Sequence, residues 1–439
     1  MALLQSEFRI CIIGAGIVGL AGGILLSRHG FQVTIVEKDP GLQTVGAGIQ
    51  LHPNALRVLQ DLGVYDDVKA ESVLTPTIMF KDYATGRTLH AQDVRGAEER
   101  YGAPVLTVHR AHLRQALYDQ ALAAGVHFEF GIVAQAGGVD LAGGAITLHA
   151  ADGGPSKVVS ADLFVGADGG TSAVREAFTG RKLSLVPHGK VVHRIVLDEA
   201  LIRARPNLRH LVDAPNIIVW AGPASMAVTY SLAGRFNIAF TRPGSLDPAD
   251  AFFRPEPVDL DGFLAELAVE GWDPEVLELI GLASDCMRWM FFEPLIDNET
   301  VPWVDAGARF CIVGDAAHQT LPYLAQGAAM GLESISVLAQ LLSKAHSREQ
   351  VRDCLDVYQR LRKERTGHVN RAGLKNGAIW QMPDGPLRDE RNRVLLNETP
   401  SVGFPNPLAD PFFQVWLWGF DAPTAANEAW ELHMRRSSR

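Results

Sequence analysis

The chain has 439 residues, 47% hydrophobic and 21% charged, an ordinary globular composition with room for about two to three domains. A formal net charge of −10 excludes a broadly basic surface, so neither nucleic acid nor an anionic membrane is an expected partner. The four cysteines, Cys11, Cys286, Cys311 and Cys354, lack CxxC or metal-ligand spacing and read as reduced structural thiols, and the 14 histidines include no HExxH pair.

Residues 10–13 are a continuous apolar run ending at Gly14, as expected of a parallel strand buried on both faces. From Ile17, Leu20, Gly23 and Ile24 recur at helical spacing until Arg28, His29 and Gly30, which supply basic last-turn residues and a terminating glycine. Residues 32–36 form a second β-branched run with Glu37 at its end. Between first strand and helix lie Gly14, Gly16 and Gly19, a Gly-x-Gly-x-x-Gly that is weak evidence alone in a chain with 42 glycines. Its strand-turn-helix setting, with an acidic residue about 20 positions on, makes it a dinucleotide site. The first glycine permits the turn, the second lets a pyrophosphate approach the backbone, and the third lets helix and strand pack closely. Phosphate then meets the N–H groups of the helix N-terminus, and Glu37 accepts hydrogen bonds from a ribose. The apolar stretch 10–26 is broken by five glycines and has no basic region before it, and no later stretch approaches the ~20 apolar residues of a membrane span. A cytoplasmic protein with no membrane contact is expected.

Further along, residues 163–165 are an apolar run before Gly166, Asp168 and Gly169, and residues 310–313 another before Gly314 and Asp315. Ligands gather outside the carboxyl ends of strands in open α/β sheets, so three such ends are expected to converge on one ligand. Residues 216–220, 226–231 and 235–241 alternate in β-branched and aromatic residues and read as an antiparallel sheet of a separate domain, followed by a proline-rich loop over 241–259. After Pro322 and Gly327, residues Ala328, Leu332, Ile335, Ala339 and Leu342 advance in steps of four and three. That spacing predicts an amphipathic helix whose N-terminus, at Gln326-Gly327, is a second anion site. A charged helix is expected from 344 to about Lys375, then a Pro- and Asn-rich stretch and the aromatic run "FFQVWLWGF".

With these motifs in this order, residues 8–345 resemble the single-component FAD-dependent aromatic hydroxylases, the group A flavoprotein monooxygenases. The likeness is strongest to their salicylate-hydroxylase-like branch, which includes natural-product tailoring enzymes. The resemblance implies an α/β chain with three parts. These are a discontinuous Rossmann-like FAD-binding domain (1–76, 103–182 and 291–345), a β-sheet substrate domain (77–102 and 183–290) and a helical or irregular C-terminal segment (346–439). It implies that Gly14, Gly16, Gly19, Glu37 and Lys38 hold the ADP half of FAD, and that Gly48 lies along the flavin. Arg110 and Asp168 would contact the cofactor, Asp315 the ribityl chain, and the N–H groups of Gly327 and Ala328 the flavin ring. One departure is Ala325, where the family's Pro-x-x-Gly-Gln-Gly form has glycine.

The implied reaction has NAD(P)H reducing FAD, and one atom of O2 passing through a flavin hydroperoxide to an electron-rich aromatic small molecule, a phenolic or salicylate-like compound. Arg194 and Tyr230 match substrate-contacting residues of the branch. With only one Gly-x-Gly-x-x-Gly segment, NAD(P)H is expected to dock transiently, and no obligate protein partner is expected. The alternative within the class is epoxidation or hydroxylation of an indole alkaloid. A flavin halogenase is disfavoured because Trp416-x-Trp418 lies near the wrong terminus and lacks the following Ile-Pro. A non-catalytic flavin-binding protein is the third reading.

Overall fold

The computed structural model describes residues 4–42, 47–180, 186–245, 255–293 and 301–437. The apolar run after Phe8 becomes the strand Arg9–Ile13, central in a parallel five-stranded sheet ordered Phe310–Ile312, Leu163–Gly166, Arg9–Ile13, Gln32–Glu37, His127–Phe130. All three motif-bearing strands therefore end on the same edge. The helix Ile17–Arg28 covers one face of this sheet, and glycines set its closeness: a Cβ at Gly23 would lie 2.9 Å from Ile35 Cδ1. A three-stranded antiparallel meander, Ile132–Asp140, Ala145–Ala150 and Lys157–Ser160, follows the last strand.

A second sheet of eight strands stands apart in pattern. Its order is Glu256–Pro257, Met287–Phe292, Pro187–Asp198, Arg235–Pro243, Ser225–Leu232, Ile217–Gly222, Thr77–Asp82, Thr88–Asp93. The proline-rich stretch expected as a loop over 241–259 is strand to Pro243 and pairs again at Glu256–Pro257; residues 246–254 lie outside the described residues. One face of this sheet buries Trp220, Phe236, Ile238 and Phe240 against helices Leu260–Val269 and Pro274–Gly281. The other face, with Ile217, Val219 and Tyr230, packs against Leu321, Tyr323, Leu324 and Met330.

The helix Gly327–Leu342, expected to be amphipathic, is buried on almost every side. It lies among Ile17–Arg28, Arg348–Trp380 and Ala422–Ser437, so it has no solvent face to leave polar. The C-terminal part is more helical than its composition suggests: Pro386–Asn397, Pro411–Trp418 and Ala422–Ser437 follow the 33-residue helix Arg348–Trp380. No helix among the described residues is long and apolar enough to cross a membrane. All four cysteines are buried and unpaired by disulfides.

Candidate functional site

The shared edge of the parallel sheet opens into a cleft of about 710 Å³. Its walls include Gly14, Gly16, Glu37, Lys38, Arg110, Asp168, Asp315, Gly327 and Ala328, residues spread over more than 300 positions of sequence. Gly14 turns the chain at φ +104°, where a Cβ would sit 2.6 Å from the Ala167 carbonyl oxygen, and its N–H donates to Val36 O at 2.8 Å. A Cβ at Gly16 would meet nothing within 4 Å, so this glycine borders open space. Gly19 does not line the cleft; a Cβ there would lie 1.9 Å from Gly14 O, so it serves the close approach of helix to loop.

Glu37 closes the glycine loop from behind. Its Oε2 accepts the Ala15 N–H at 2.7 Å and its Oε1 the Asp39 N–H at 3.1 Å. Arg114 completes the clasp, donating Nε to Ala15 O at 2.9 Å with Nη2 3.5 Å from Glu37 Oε2. Sequence reasoning missed Arg114, although it follows Arg110 by one helical turn and so shares its face of Arg110–Ala123. The meander residues Ile132, Val133 and Ala134, which also line the cleft, carry no local signal of any kind.

Asp168 follows Leu163–Gly166 and reaches the start of the helix Ala173–Thr179, which Ser172 caps, its Oδ2 accepting the Ala173 N–H at 2.7 Å. Its buried Oδ1 has no partner among the described residues. Burial pushes this carboxyl up, opposed by the Ser172 hydroxyl and the backbone N–H groups of the helix start. Asp315 is exposed to the cleft and enclosed by protein elsewhere; burial raises its carboxyl too, and Arg110 and Arg175 pull it back. Arg175 ties the two motifs together, donating Nη1 to Ala316 O at 2.8 Å and Nη2 to Gly170 O.

Two helices point their N-termini at this space. Neither Ile17–Arg28 nor Gly327–Leu342 has a side-chain hydrogen bond at its N-cap, so their first N–H groups remain available. Ala325, just before the second, sits at φ +53° and ψ +37°, the left-handed conformation that glycine adopts without strain. His318 does not reach the cleft: it is buried, its Nε2 lies 2.8 Å from Ser334 Oγ, and burial lowers its pKa to about 3.

The large sheet reaches the cleft through the strand Gly48–Leu51, touching it at Gly48, next to the cleft-lining Ile49. Tyr230 Oη donates to Gly48 O at 2.6 Å, and the Gly48 N–H donates to Asn237 Oδ1 at 3.3 Å. The proton of Tyr230, expected to contact substrate, is thus held by backbone. The register pairs Tyr230 with Asn237 and Asn237 with Val196, which places Arg194 on the same sheet face two residues away. The Arg194 guanidinium lies 5.4 Å from the Trp289 ring centre, and among the described residues no carboxylate pairs with it. Burial lowers its pKa, with the Tyr230 oxygen opposing and Arg110 adding to the shift, so it lies within electrostatic reach of both. Gly48 and Arg194 stand beside the walls of the cleft rather than in them.

A long dinucleotide fits these residues: a glycine bordering open space, uncapped helix N-termini for phosphate and for an anionic ring, and the cleft-facing Asp315 carboxylate for hydroxyls. No group of His, Cys, Asp and Glu among the described residues is arranged to hold a metal ion. A family model described as "FAD binding domain" matches residues 7–196 and 298–372. The FAD-dependent monooxygenase OpS4 of Beauveria bassiana (strain ARSEF 2860) is 30% identical over 436 residues, covering 98% of this chain and 99% of that protein. The 3-amino-4-hydroxybenzoate 2-monooxygenase of Streptomyces cremeus is 32% identical over 433 residues, covering 97% and 99%. Among solved structures, a salicylate hydroxylase substrate complex shares the fold with a TM-score of 0.76 at 22% identity, covering 97% of this chain and 98% of that one.

Proposed function

The chain belongs to the FAD-binding-domain family of FAD-dependent monooxygenases, and on that premise we propose that it hydroxylates a small aromatic ring bearing an ionised oxygen. FAD supplies the redox chemistry when bound: acceptance of a hydride from NAD(P)H and transfer of one oxygen atom of O2 to the ring. The protein's part is to hold the cofactor, orient the ring and keep water out.

The observation that carries this reading is Arg194, a half-buried cation without a carboxylate partner among the described residues, on the sheet face that carries Tyr230 and touches, at Gly48, the strand whose Ile49 lines the cleft. Such a cation lowers the pKa of a phenol and pairs with a carboxylate, and phenolate is the more nucleophilic form of the ring. The Streptomyces cremeus relative acts on a ring that carries both groups. Tyr230 fixes the Gly48 strand, and Trp289 offers a face on which a ring can stack.

For the cofactor, Gly14, Gly16 and the start of Ile17–Arg28 take the pyrophosphate, with Gly19 keeping that helix close. Glu37 and Lys38 take the adenosine ribose side; a carboxylate has about four lone-pair sites, so the two backbone N–H groups and the Arg114 Nη2 already on Glu37 still leave capacity. Arg110, Asp168 and Asp315 take the hydroxyls and phosphates of the middle. Gly48 lies along the flavin, with the N–H groups of Gly327 and Ala328 at the ring. NAD(P)H docks transiently, and the location is cytoplasmic.

The test is substrate-stimulated NAD(P)H oxidation by the purified FAD-loaded enzyme over hydroxybenzoates, neutral phenols and indoles. Hydroxybenzoates are expected to stimulate most, and Arg194→Gln to lose at least tenfold in kcat/KM, about 1.4 kcal/mol, with full FAD content. Equal stimulation by neutral indoles, or unchanged turnover in Arg194→Gln, overturns the reading.

A further inference from the structure

The helix that begins at Gly327 is anchored, two turns further in, by a buried ion cluster that the proposed reaction does not use. Glu333 is fully buried and bridged by two arginines of the helix Arg348–Trp380. Arg365 donates Nε to Oε2 at 2.7 Å and Nη2 to Oε1 at 2.8 Å, and Arg362 Nη1 lies 2.9 Å from Oε2. Burial pushes the Glu333 carboxyl up, and the two guanidiniums more than offset it, leaving a carboxylate.

From this hub two arms run toward the cleft. In the first, Asn54 Nδ2 donates both to Glu333 Oε1 at 2.7 Å and to Gln326 Oε1 at 2.9 Å, and Gln326 Nε2 lies 2.9 Å from His52 Nδ1. Gln326 is the residue whose backbone starts the helix at Gly327. In the second, Arg362 Nε donates to Ser334 Oγ at 3.0 Å, and Ser334 Oγ lies 2.8 Å from His318 Nε2, in the turn that Asp315 opens. Both turns at this end of the cleft are tied to one pair of arginines.

Buried ion pairs are often no more stabilising than apolar packing of the same volume. What distinguishes this cluster is direction: one arm reaches Gln326, next to the cleft-lining Gly327, and the other reaches His318, in the same short helix as the cleft-lining Asp315. The benefit of a helix N-terminus to an anion fades within one turn, and a donor must stand about 2.7–3.1 Å from the developing charge. A displacement of a few tenths of an ångström at Gln326 therefore matters.

We propose that Glu333, Arg362 and Arg365, acting through Asn54 and Gln326, are positioning residues that set the N–H groups of Gly327 and Ala328 against the flavin ring and so tune its reduction. This rests on the reading that FAD lies in the cleft with its ring at Gly327. Asn54→Leu cuts the first arm without changing the charge of the hub, so a change in flavin potential then reports position rather than field.

The experiment is a spectroscopic redox titration of the FAD-loaded wild type and Asn54→Leu with a chemical reductant, needing neither substrate nor nicotinamide, followed by the ratio of H2O2 released to NAD(P)H oxidised. Asn54→Leu is expected to keep its FAD and to shift the two-electron equilibrium at least tenfold toward oxidised flavin, about 30 mV more negative. Its H2O2 ratio is expected to rise. Gln326→Leu, which cuts the same arm from its other end, is expected to match it, and serves if Asn54→Leu does not fold. Potentials equal to wild type in the folded variants overturn the proposal. Failure of the substrate reading leaves the titration interpretable, whereas wild type purifying without FAD would strike the cofactor placement instead.

Discussion

Gly48 is pinned on both backbone groups by side chains 182 and 189 positions away, Tyr230 and Asn237. A methyl group there would lie 2.6 Å from Tyr230 Cε2 and 2.9 Å from Leu232 Cδ2. Overpacking of this kind costs about 1–3 kcal/mol, so Gly48→Ala is expected to lower the urea midpoint and to shift the flavin absorbance as Tyr230 moves. An unchanged midpoint and spectrum would mean that the sheet gives way freely. Asp315→Ala removes the carboxylate that faces the cleft, and a loss of at least tenfold in FAD affinity, about 1.4 kcal/mol, is expected by flavin fluorescence titration. Full flavin content in the purified variant would contradict that. Spacing made individual glycines and aspartates legible because each sits at a strand end with a chemical reason to be there. It could not reveal that the Tyr230 hydroxyl is spent on Gly48, since nothing local marks which distant backbone a phenol will meet.

The strand Arg9–Ile13, its loop and the helix Ile17–Arg28 form the element on which the cleft depends. At Gly19 a Cβ would collide with Gly14 O at 1.9 Å, a backbone atom that cannot rotate away. Gly19→Ala is therefore expected to push the helix off the loop, lose FAD and lower thermal stability together; a variant that purifies yellow with wild-type melting would sink this account. The parallel strands and this helix were readable from apolar runs and terminal glycines, because local periodicity and burial agree there. The helix Gly327–Leu342 was readable in extent and not in environment, since its small residues allow neighbours to close over the polar side as well. Helices Pro386–Asn397 and Pro411–Trp418 were hidden by the proline and asparagine of their stretch. Both begin with proline at a first helical position, where its missing N–H costs nothing, and Asp410 caps the second through the Phe412 and Phe413 N–H groups.

Across the molecule, the hub at Glu333 joins parts that composition shows only as separate blocks. Arg365 also donates to Leu417 O at 3.0 Å and lies 3.9 Å from the Phe420 ring centre, so the aromatic C-terminal run is held by the same side chain. Glu333→Ala leaves two buried cations unpaired, and a loss of about 3–5 kcal/mol is expected in urea unfolding. Stability is also expected to fall below neutral pH. Burial holds His52 and His193 to pKa values of about 4 and His318 to about 3, all below the usual 6.5. The unfolded chain therefore binds more protons than the native one between pH 6.5 and 4, and stability declines as pH drops through that window. Each histidine contributes a loss of about 2 kcal/mol at pH 5, opposed by the raised Asp168 and Asp315 carboxyls, and native imidazoles that titrate near 6.5 by NMR would contradict neutral burial. The fold class was legible because three motifs share one sheet edge; the hub was not, because Glu333, Arg362 and Arg365 look like any charged helix until the helices are packed. The most direct test of the central claim is turnover of a hydroxybenzoate by the FAD-loaded enzyme with NAD(P)H under 18O2. One labelled oxygen atom per product molecule is the predicted result, and product oxygen drawn from water would contradict the account.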